Sequence, residues 1–479
     1  MTLALLGILV PVAGALVAFA WRSERSRPLW LPVVAAVHLA VTICAVVAYP
    51  QPSAGRWLML DPPGRLVLLL VSTLFAVVSV YGVGYLRERS ERPNRIFCAC
   101  LMLFLGMMTF IVWAHHLGLM WVALEATTLS SGPLLYFNRN ARSLEATWKY
   151  LMVGSVGIAL ALLGSFFLGY AAVQAGGEPS LLFDDLVRNA PGFSKPWLQA
   201  AFVLLVVGYG TKMGLAPMHT WKPDAYGEAP GIVGALLAGA MTSCAFLALA
   251  RVFHVLTAAG EGAFAGRILV VLGLFSMAVA GVFTVRQRDL KRMLAYSSVE
   301  HMGILAFGLG LGGSGIFGAF LHMLNNGIIK GVMFLSAGNI HRAYDSKYVE
   351  DVSGALRRVP WSGALFLAGF FAVTGSPPFG PFVSELSILN AAMEQHRWGV
   401  AAAMLGLLLI VFMGMGVTVL GVVQGEAGPS SSPSRFRDGV LNTLPALVLL
   451  AMSFGMGVAM PDAIQSMVRE AADYVGGRR

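Results

Sequence analysis

Charge is scarce in this chain: Asp, Glu, Lys and Arg make up only 12% of its 479 residues, 57% are hydrophobic, and the mean hydropathy is +0.73. That balance excludes an ordinary soluble domain and points to an all-α polytopic membrane protein. Cysteine is sparse as well. The four present, Cys44, Cys98, Cys100 and Cys244, fall in apolar runs without a C-x-x-C or Cys/His set. No iron–sulfur cluster, disulfide, metal site or other cofactor is therefore expected. A nucleotide fingerprint is missing too, because GLGLGG (Gly308 to Gly313) spells G-x-G-x-x-G without a preceding strand.

What is present is a succession of segments long enough to cross hydrocarbon, about 20 residues each. Fourteen candidate spans are expected, near 2–21, 29–49, 65–86, 96–113, 116–136, 145–170, 197–218, 231–253, 266–285, 294–311, 315–338, 361–379, 399–423 and 440–460. The first has no basic leader or small-residue cleavage site, so it is expected to be retained. Placing the N-terminus outside puts most of the 33 basic residues in cytoplasmic loops, including Arg22/Arg25/Arg27, Arg87/Arg89/Arg92/Arg95, Arg286/Arg288/Lys291/Arg292 and Arg342/Lys347/Arg357/Arg358. Both termini are then expected outside a cell inner (cytoplasmic) membrane. The net charge of +9 follows from topology and gives no reason to expect nucleic acid.

Lys212 is the most conspicuous residue, following the apolar run AAFVLLVVGYG, with Pro217 breaking the helix five positions on. A charge at that depth costs roughly 2.5–3.5 kcal/mol or more and calls for a partner or a task. Snorkelling at an ordinary kink is the bland alternative. His219, seven positions after Lys212, would share its face if the helix continued. Glu125 lies at the middle of the fifth span, followed by Thr127, Thr128, Ser130 and Ser131; a protonated carboxyl bonded to a neighbouring helix is the competing reading. Lys149 reads equally as an anchor. WKPDAYGEAP, after the seventh span, is expected to be a tight cytoplasmic connection.

Glu300 and His301 enter the tenth span as either proton entry or interfacial residues. In the eleventh, His322, Asn326 and Lys330 recur every four positions and share one face. This stripe reads as a hydrated relay or as interhelical packing. The twelfth span is broken at Gly375, Pro377, Pro378, Gly380 and Pro381, with Glu385 just beyond. Two Pro-interrupted spans, five apart, suggest a duplicated five-span unit whose second copy is inverted. The expected organisation is residues 1–95 (three helices), 96–254 (first repeat), 255–424 (second repeat) and 425–479 (last helix and tail). Residues 425–439 are expected as a flexible loop, and 462–475 as an amphipathic helix.

WVALEATTL, TKMGLAPMHTWKPDAYGEAP, RDLKRMLAYSSVEHMG, IIKGVMFLSAGNIH and GSPPFGPFVSELSIL together resemble the antiporter-like, proton-translocating subunits of respiratory complex I, Mrp-type cation/proton antiporters and membrane-bound NiFe hydrogenases, over roughly residues 60–425. The wording is most similar to the hydrogenase-4 or formate hydrogenlyase type. The resemblance implies a proton relay through Glu125, Lys212, Lys330 and Glu385, with His219 and His322 in the connecting polar axis. Ser243 and Asn326 depart from it, standing where relatives often carry lysine and histidine, which puts the link between half-channels in question. It also implies partner membrane subunits and redox subunits with iron–sulfur and NiFe centres. The alternative is an Mrp-type sodium/proton antiporter subunit, and a non-conducting scaffold is a third reading.

Overall fold

The computed structural model describes residues 2–49, 57–176, 180–425 and 436–477. Among these the chain is helical, with only isolated β-bridges. The helices are α1 (Thr2–Ala20), α2 (Trp30–Val47), α3 (Pro62–Glu88), α4 (Arg95–Trp113), α5 (Leu117–Leu135), α6 (Ala141–Val173), α7 (Phe183–Asn189), α8 (Lys195–Met213), α9 (Trp221–Glu228) and α10 (Gly231–Ala235). The chain continues with α11 (Thr242–Ala258), α12 (Gly262–Thr284), α13 (Leu290–Leu311), α14 (Ser314–Tyr344), α15 (Ala355–Arg358), α16 (Pro360–Val373), α17 (Gly380–Glu394), α18 (Trp398–Val423), α19 (Val440–Val458) and α20 (Asp462–Gly476). Of the loop expected at 425–439, residues 426–435 lie outside the described residues.

Nine helical stretches among the described residues are long and apolar enough to cross a membrane: α1, α2, α3, α4, α6, α10–α11, α12, α18 and α19. The chain is thus a polytopic membrane protein. Helices α5, α8, α13 and α14 are also long, but they carry Glu125, Lys212, Glu300 and Lys330, and such residues cost hydropathy. They form the interior with α10–α11, whose apolar window is wholly buried, while α1, α2, α18 and α19 expose most of theirs. Helix α14 is the hub, packing against α13, α16, α17 and α19. Small residues allow the close approaches: a Cβ at Gly273 or Gly266 of α12 would strike the carbonyl of Gly303 or Gly310 on α13.

Local chemistry sets the helix starts. Asp61 accepts the Gly64 N–H at the start of α3, Asn140 and Ser143 form a capping box at α6, and Asp289 accepts from Lys291 and Arg292 at α13. The two Pro-rich breaks fall at 214–220 and 374–379, each containing a cis X-Pro bond. WKPDAYGE, expected as a tight connection, is instead the buried helix α9. Pro223 is tolerated there because it lies in the first turn. The eighth span contains a π-helical turn, Leu236–Met241, that periodicity did not announce. The amphipathic helix expected at 462–475 is present as α20, which buries Met467, Val468, Ala471 and Val475.

The basic clusters gather at one end of the molecule. Arg27 bonds Asn94, Arg342 pairs with Glu88, Arg142 bonds the Tyr348 hydroxyl, and Lys291 donates to the Ala229 carbonyl. In the surrounding loop, burial alone would lower the Lys347 ammonium, but Asp289 and Glu228 hold it above its ordinary value. The opposite end is locked by Arg251. Its Nε and Nη2 donate to Asp61 at 2.8 Å each, and its remaining donors reach the carbonyls of Ile111, Val112 and Ala114 at 2.7 to 3.1 Å. Burial alone would raise the Asp61 carboxyl; Arg251, with His115 and the Gly64 N–H, brings it below the ordinary carboxylate range.

Asp61→Asn should therefore lower stability by about 3–5 kcal/mol, because it strands a buried guanidinium. The Asp61→Leu/Arg251→Met pair should cost less than the two single changes added together. Since the folded-state Asp61 pKa is depressed, this contribution is complete above the unfolded value of about 3.9 and is lost as pH falls through the lower folded one. Thermal unfolding of the detergent-solubilised variants at two pH values checks both points.

Candidate functional site

The polar interior starts on α5. Glu125 is partly exposed on the flank and accepts from Ser155 of α6 at 2.7 Å and from Thr128 at 3.3 Å. Lys212, near the end of α8, is 1% exposed and donates to Thr128 Oγ1 at 2.6 Å. The two sequence-predicted charges therefore do not touch: a hydroxyl stands between them, and no salt bridge among the described residues includes either. The Thr128 hydroxyl has a second acceptor, the Leu124 carbonyl at 3.4 Å, so its proton can face the carboxylate or its own helix. Lys212 also reaches the Tyr150 hydroxyl at 3.4 Å and lies over that ring, and Tyr150 in turn meets Ser131 at 2.6 Å.

Beyond Lys212 the helix stops because Gly214 takes φ +82°, with its N–H capping the carbonyls of Gly210 and Thr211. The Trp221 indole donates to the Thr211 carbonyl at 2.9 Å and closes the break. His219 lies in that break, close to the ring of Tyr296, with its Nδ1 buried and unpartnered. Lys222, in the segment expected as a tight connection, is fully buried and donates to Ser298 of α13 at 3.2 Å. The adjacent Ser297 accepts from Lys330 of α14 at 2.8 Å, and Glu300 is the carboxylate that faces Lys330.

From there the groups continue to the second break. His301 Nδ1 meets His322 Nε2 at 2.9 Å, and His322 Nδ1 meets Ser384 Oγ of α17 at 2.9 Å. His301, His322 and Glu385 offer atoms within 4.8 Å of one another, and the free nitrogen of His301 and one Glu385 oxygen have no protein partner. Such a trio could hold a divalent cation. The three stand on α13, α14 and α17, so no spacing within one segment announces the trio. Asn326 is buried, and neither polar atom of its side chain has a hydrogen-bond partner in the protein. The Ser243 hydroxyl donates to the Gly239 carbonyl of its own helix at 2.6 Å. Lys149 lies at the surface, bound to Glu145 and Asp224.

Hydroxyls, imidazoles and amines at these spacings can pass protons by exchanging donor and acceptor roles; none of them offers redox chemistry. Residues 114–412 match the family described as NADH:quinone oxidoreductase/Mrp antiporter, TM. The chain is 31% identical over 428 residues to a hydrogenase-4 component F homolog of Methylacidiphilum infernorum, covering 87% of this chain and 88% of that one. It is 32% identical over 356 residues to NADH-quinone oxidoreductase subunit N of Desulforudis audaxviator, covering 74% and 70% of the two. Its fold matches a chain of an archaeal membrane-bound sulfane sulfur reductase with TM-score 0.87 at 22% identity, over 99% of this chain and 98% of that one.

The burial of Lys222 is directly checkable. A Lys222→Cys thiol should stay unlabelled by a membrane-impermeant maleimide under conditions that label Glu350→Cys, whose parent side chain is 67% exposed. Equal labelling of the two would place residue 222 in an open loop.

Proposed function

Because the chain belongs to the NADH:quinone oxidoreductase/Mrp antiporter transmembrane family, we propose that it is a proton-translocating, antiporter-like membrane subunit of an energy-converting oxidoreductase complex. The observation that carries this reading is a run of interior polar groups in three hydrogen-bonded pieces: Glu125–Thr128–Lys212, Ser297–Lys330 and His301–His322–Ser384, the last ending beside Glu385. No stability argument accounts for several lysines, histidines and carboxyls in an apolar interior, where each is costly. The proposed site residues are Glu125, Lys212, Lys330 and Glu385, with His219, His322, Asn326 and Ser243 on the connecting polar axis.

In this reading the nine apolar stretches, the four polar helices and the broken α16/α17 pair make fourteen spans. Residues 96–254 and 255–424 are inverted five-helix repeats, preceded by 1–95 and followed by 425–479. Both termini face outward from a cell inner membrane, with the basic end in the cytoplasm. The exposed apolar faces of α1, α18 and α19 fit lipid and neighbouring membrane subunits. In this reading iron–sulfur or NiFe centres belong to those partners; the relatives named as a hydrogenase-4 component and a quinone oxidoreductase subunit support an oxidoreductase complex. Sodium-dependent transport without a redox partner would favour the Mrp-type alternative.

The mechanism turns on Thr128. While Glu125 is available, the Lys212 ammonium donates to Thr128 and the hydroxyl proton points to the carboxylate, so the two charges stabilise each other at one remove. Glu125 is open to the flank, so a neighbouring subunit can draw it away. The hydroxyl then turns to Leu124, and Lys212 loses the charge that favours its ammonium form. The proton leaves toward the break, where non-helical backbone and water replace an intact helix.

Thr128→Val, which removes the hydroxyl at nearly constant shape, should slow proton translocation by roughly tenfold or more, the worth of a hydrogen bond to a charged group. Thr128→Ser should retain it. Lys212→Ala should abolish translocation in an assembled complex, and Lys212→Arg should also fail because guanidinium does not release its proton. Reconstituted complexes with a lumenal pH dye measure this; wild-type translocation by Lys212→Arg would make the lysine structural and end the mechanism.

A further inference from the structure

The two helix breaks share an arrangement that neither their wording nor their spacing in the sequence makes obvious. In each, a glycine with positive φ lies directly against the titratable side chain of the helix that follows. A Cβ at Gly214 (φ +82°) would run into the Cδ and Cε of Lys222, and one at Gly375 (φ +67°) into the carboxylate of Glu385. Lys222 on α9 thus holds the place after the first break that Glu385 on α17 holds after the second. Both side chains are buried, and both meet or adjoin a serine hydroxyl: Ser298 for Lys222, and Ser384 beside Glu385.

Lys222 is poorly satisfied for a structural lysine. Its ammonium has three donors, yet the protein offers one hydroxyl at 3.2 Å and the ring of Tyr226 at 5.6 Å, and no carboxylate pairs with it among the described residues. Lys330 is the charged group acting on it, and it stands on the neighbouring hydroxyl, Ser297. Toward Lys212, the aromatic cluster Tyr150, Trp221 and Tyr226 fills the space, with ring separations of 5.1 and 5.9 Å. Tyr150 carries a hydroxyl in reach of Lys212, and the Tyr226 hydroxyl is buried without a partner. Ser243 cannot titrate, and its hydroxyl proton goes to the Gly239 carbonyl of its own helix.

We propose that Lys222 is the proton-carrying group that joins the two halves, taking the proton from the Lys212 side and passing it across Ser298 and Ser297 to Lys330. In each transfer an N–H bond breaks on the donor lysine as one forms on the acceptor, through hydroxyls that give up one proton while taking another, so no oxidant or second substrate is needed. This rests on the reading of the buried series as a proton path. It adds a residue to that path and assigns it the task that Ser243 cannot perform.

The test compares Lys222→Met, Lys222→Arg and Lys222→His in the native assembly reconstituted in liposomes, with Lys212→Ala as the control for the path itself. Translocation should drop by roughly tenfold or more in Met and Arg, as expected for loss of an acid–base group, and return in part with His, which can titrate. A packing or charge-anchoring role would instead favour Arg over His. Loss in Lys212→Ala with wild-type translocation in Lys222→Met would overturn this inference and leave the path standing, whereas wild-type rates in both would remove the path and the inference together. If Met fails to assemble, Arg and His decide: His conducting and Arg not conducting supports the role, and equal rates overturn it.

Discussion

An amine held in hydrocarbon without a carboxylate in contact is the constraint on which this structure depends. Lys212, Lys222 and Lys330 are all buried, and each rests on a hydroxyl: Thr128, Ser298 or Ser297. A direct ion pair would hold a proton firmly, and no partner at all would be too costly. A hydroxyl lies between these extremes. It solvates the ammonium, accepts a proton, and couples the lysine to the next group. The carboxylates stay one step away, Glu125 behind Thr128 and Glu300 facing Lys330 without a salt bridge among the described residues. Such spacing suits a proton that must move.

The rest of the architecture keeps those spacings fixed. At one end Arg251 ties α3, α4 and α11 together through Asp61 and three carbonyls. At the basic end Asp224 of α9 is held by Lys149 and Arg292, and Glu228 by Lys347, so the segment after the first break is tethered from three sides. The pairs made on Asp224 by the half-exposed Lys149 and Arg292 contribute little energy individually. Their effect is geometric: they fix α9, and with it Lys222, against α13. Between the ends, the glycine contacts let α12 and α13 approach closely; from α13, Ser297 and His301 reach Lys330 and His322 of α14, while Ser298 reaches Lys222 of α9.

How legible this was in the sequence depended on contrast. Lys212, Glu125 and Lys330 stood out because each interrupts an apolar run, and the two breaks because proline cannot continue a helix. Lys222 was invisible for the opposite reason. It sits in WKPDAYGEAP, whose charges and prolines read as a loop, and only the fold shows that a short helix turns its lysine inward. The hydroxyl between Glu125 and Lys212 was half legible: Thr128 was noted as a hydrogen-bonding residue, but its place between the charges needed the register of α5 against α8. His38, bonded on both nitrogens by Ser72 and Thr109 at 2.9 Å, passed unnoticed because a neutral histidine in an apolar helix carries no pattern.

The central claim is that protons move through the lysine series and are coupled to the turnover of a larger complex. Its most direct test is the number of protons translocated per turnover when Lys330 is replaced by methionine in the intact native assembly. Lys330 is buried on α14 and donates to Ser297 at 2.8 Å, on the same helix as His322. The account predicts that turnover persists while the proton count falls, because the chemistry resides in other subunits and only this path is cut. An unchanged count, with the variant confirmed in the complex, would contradict it.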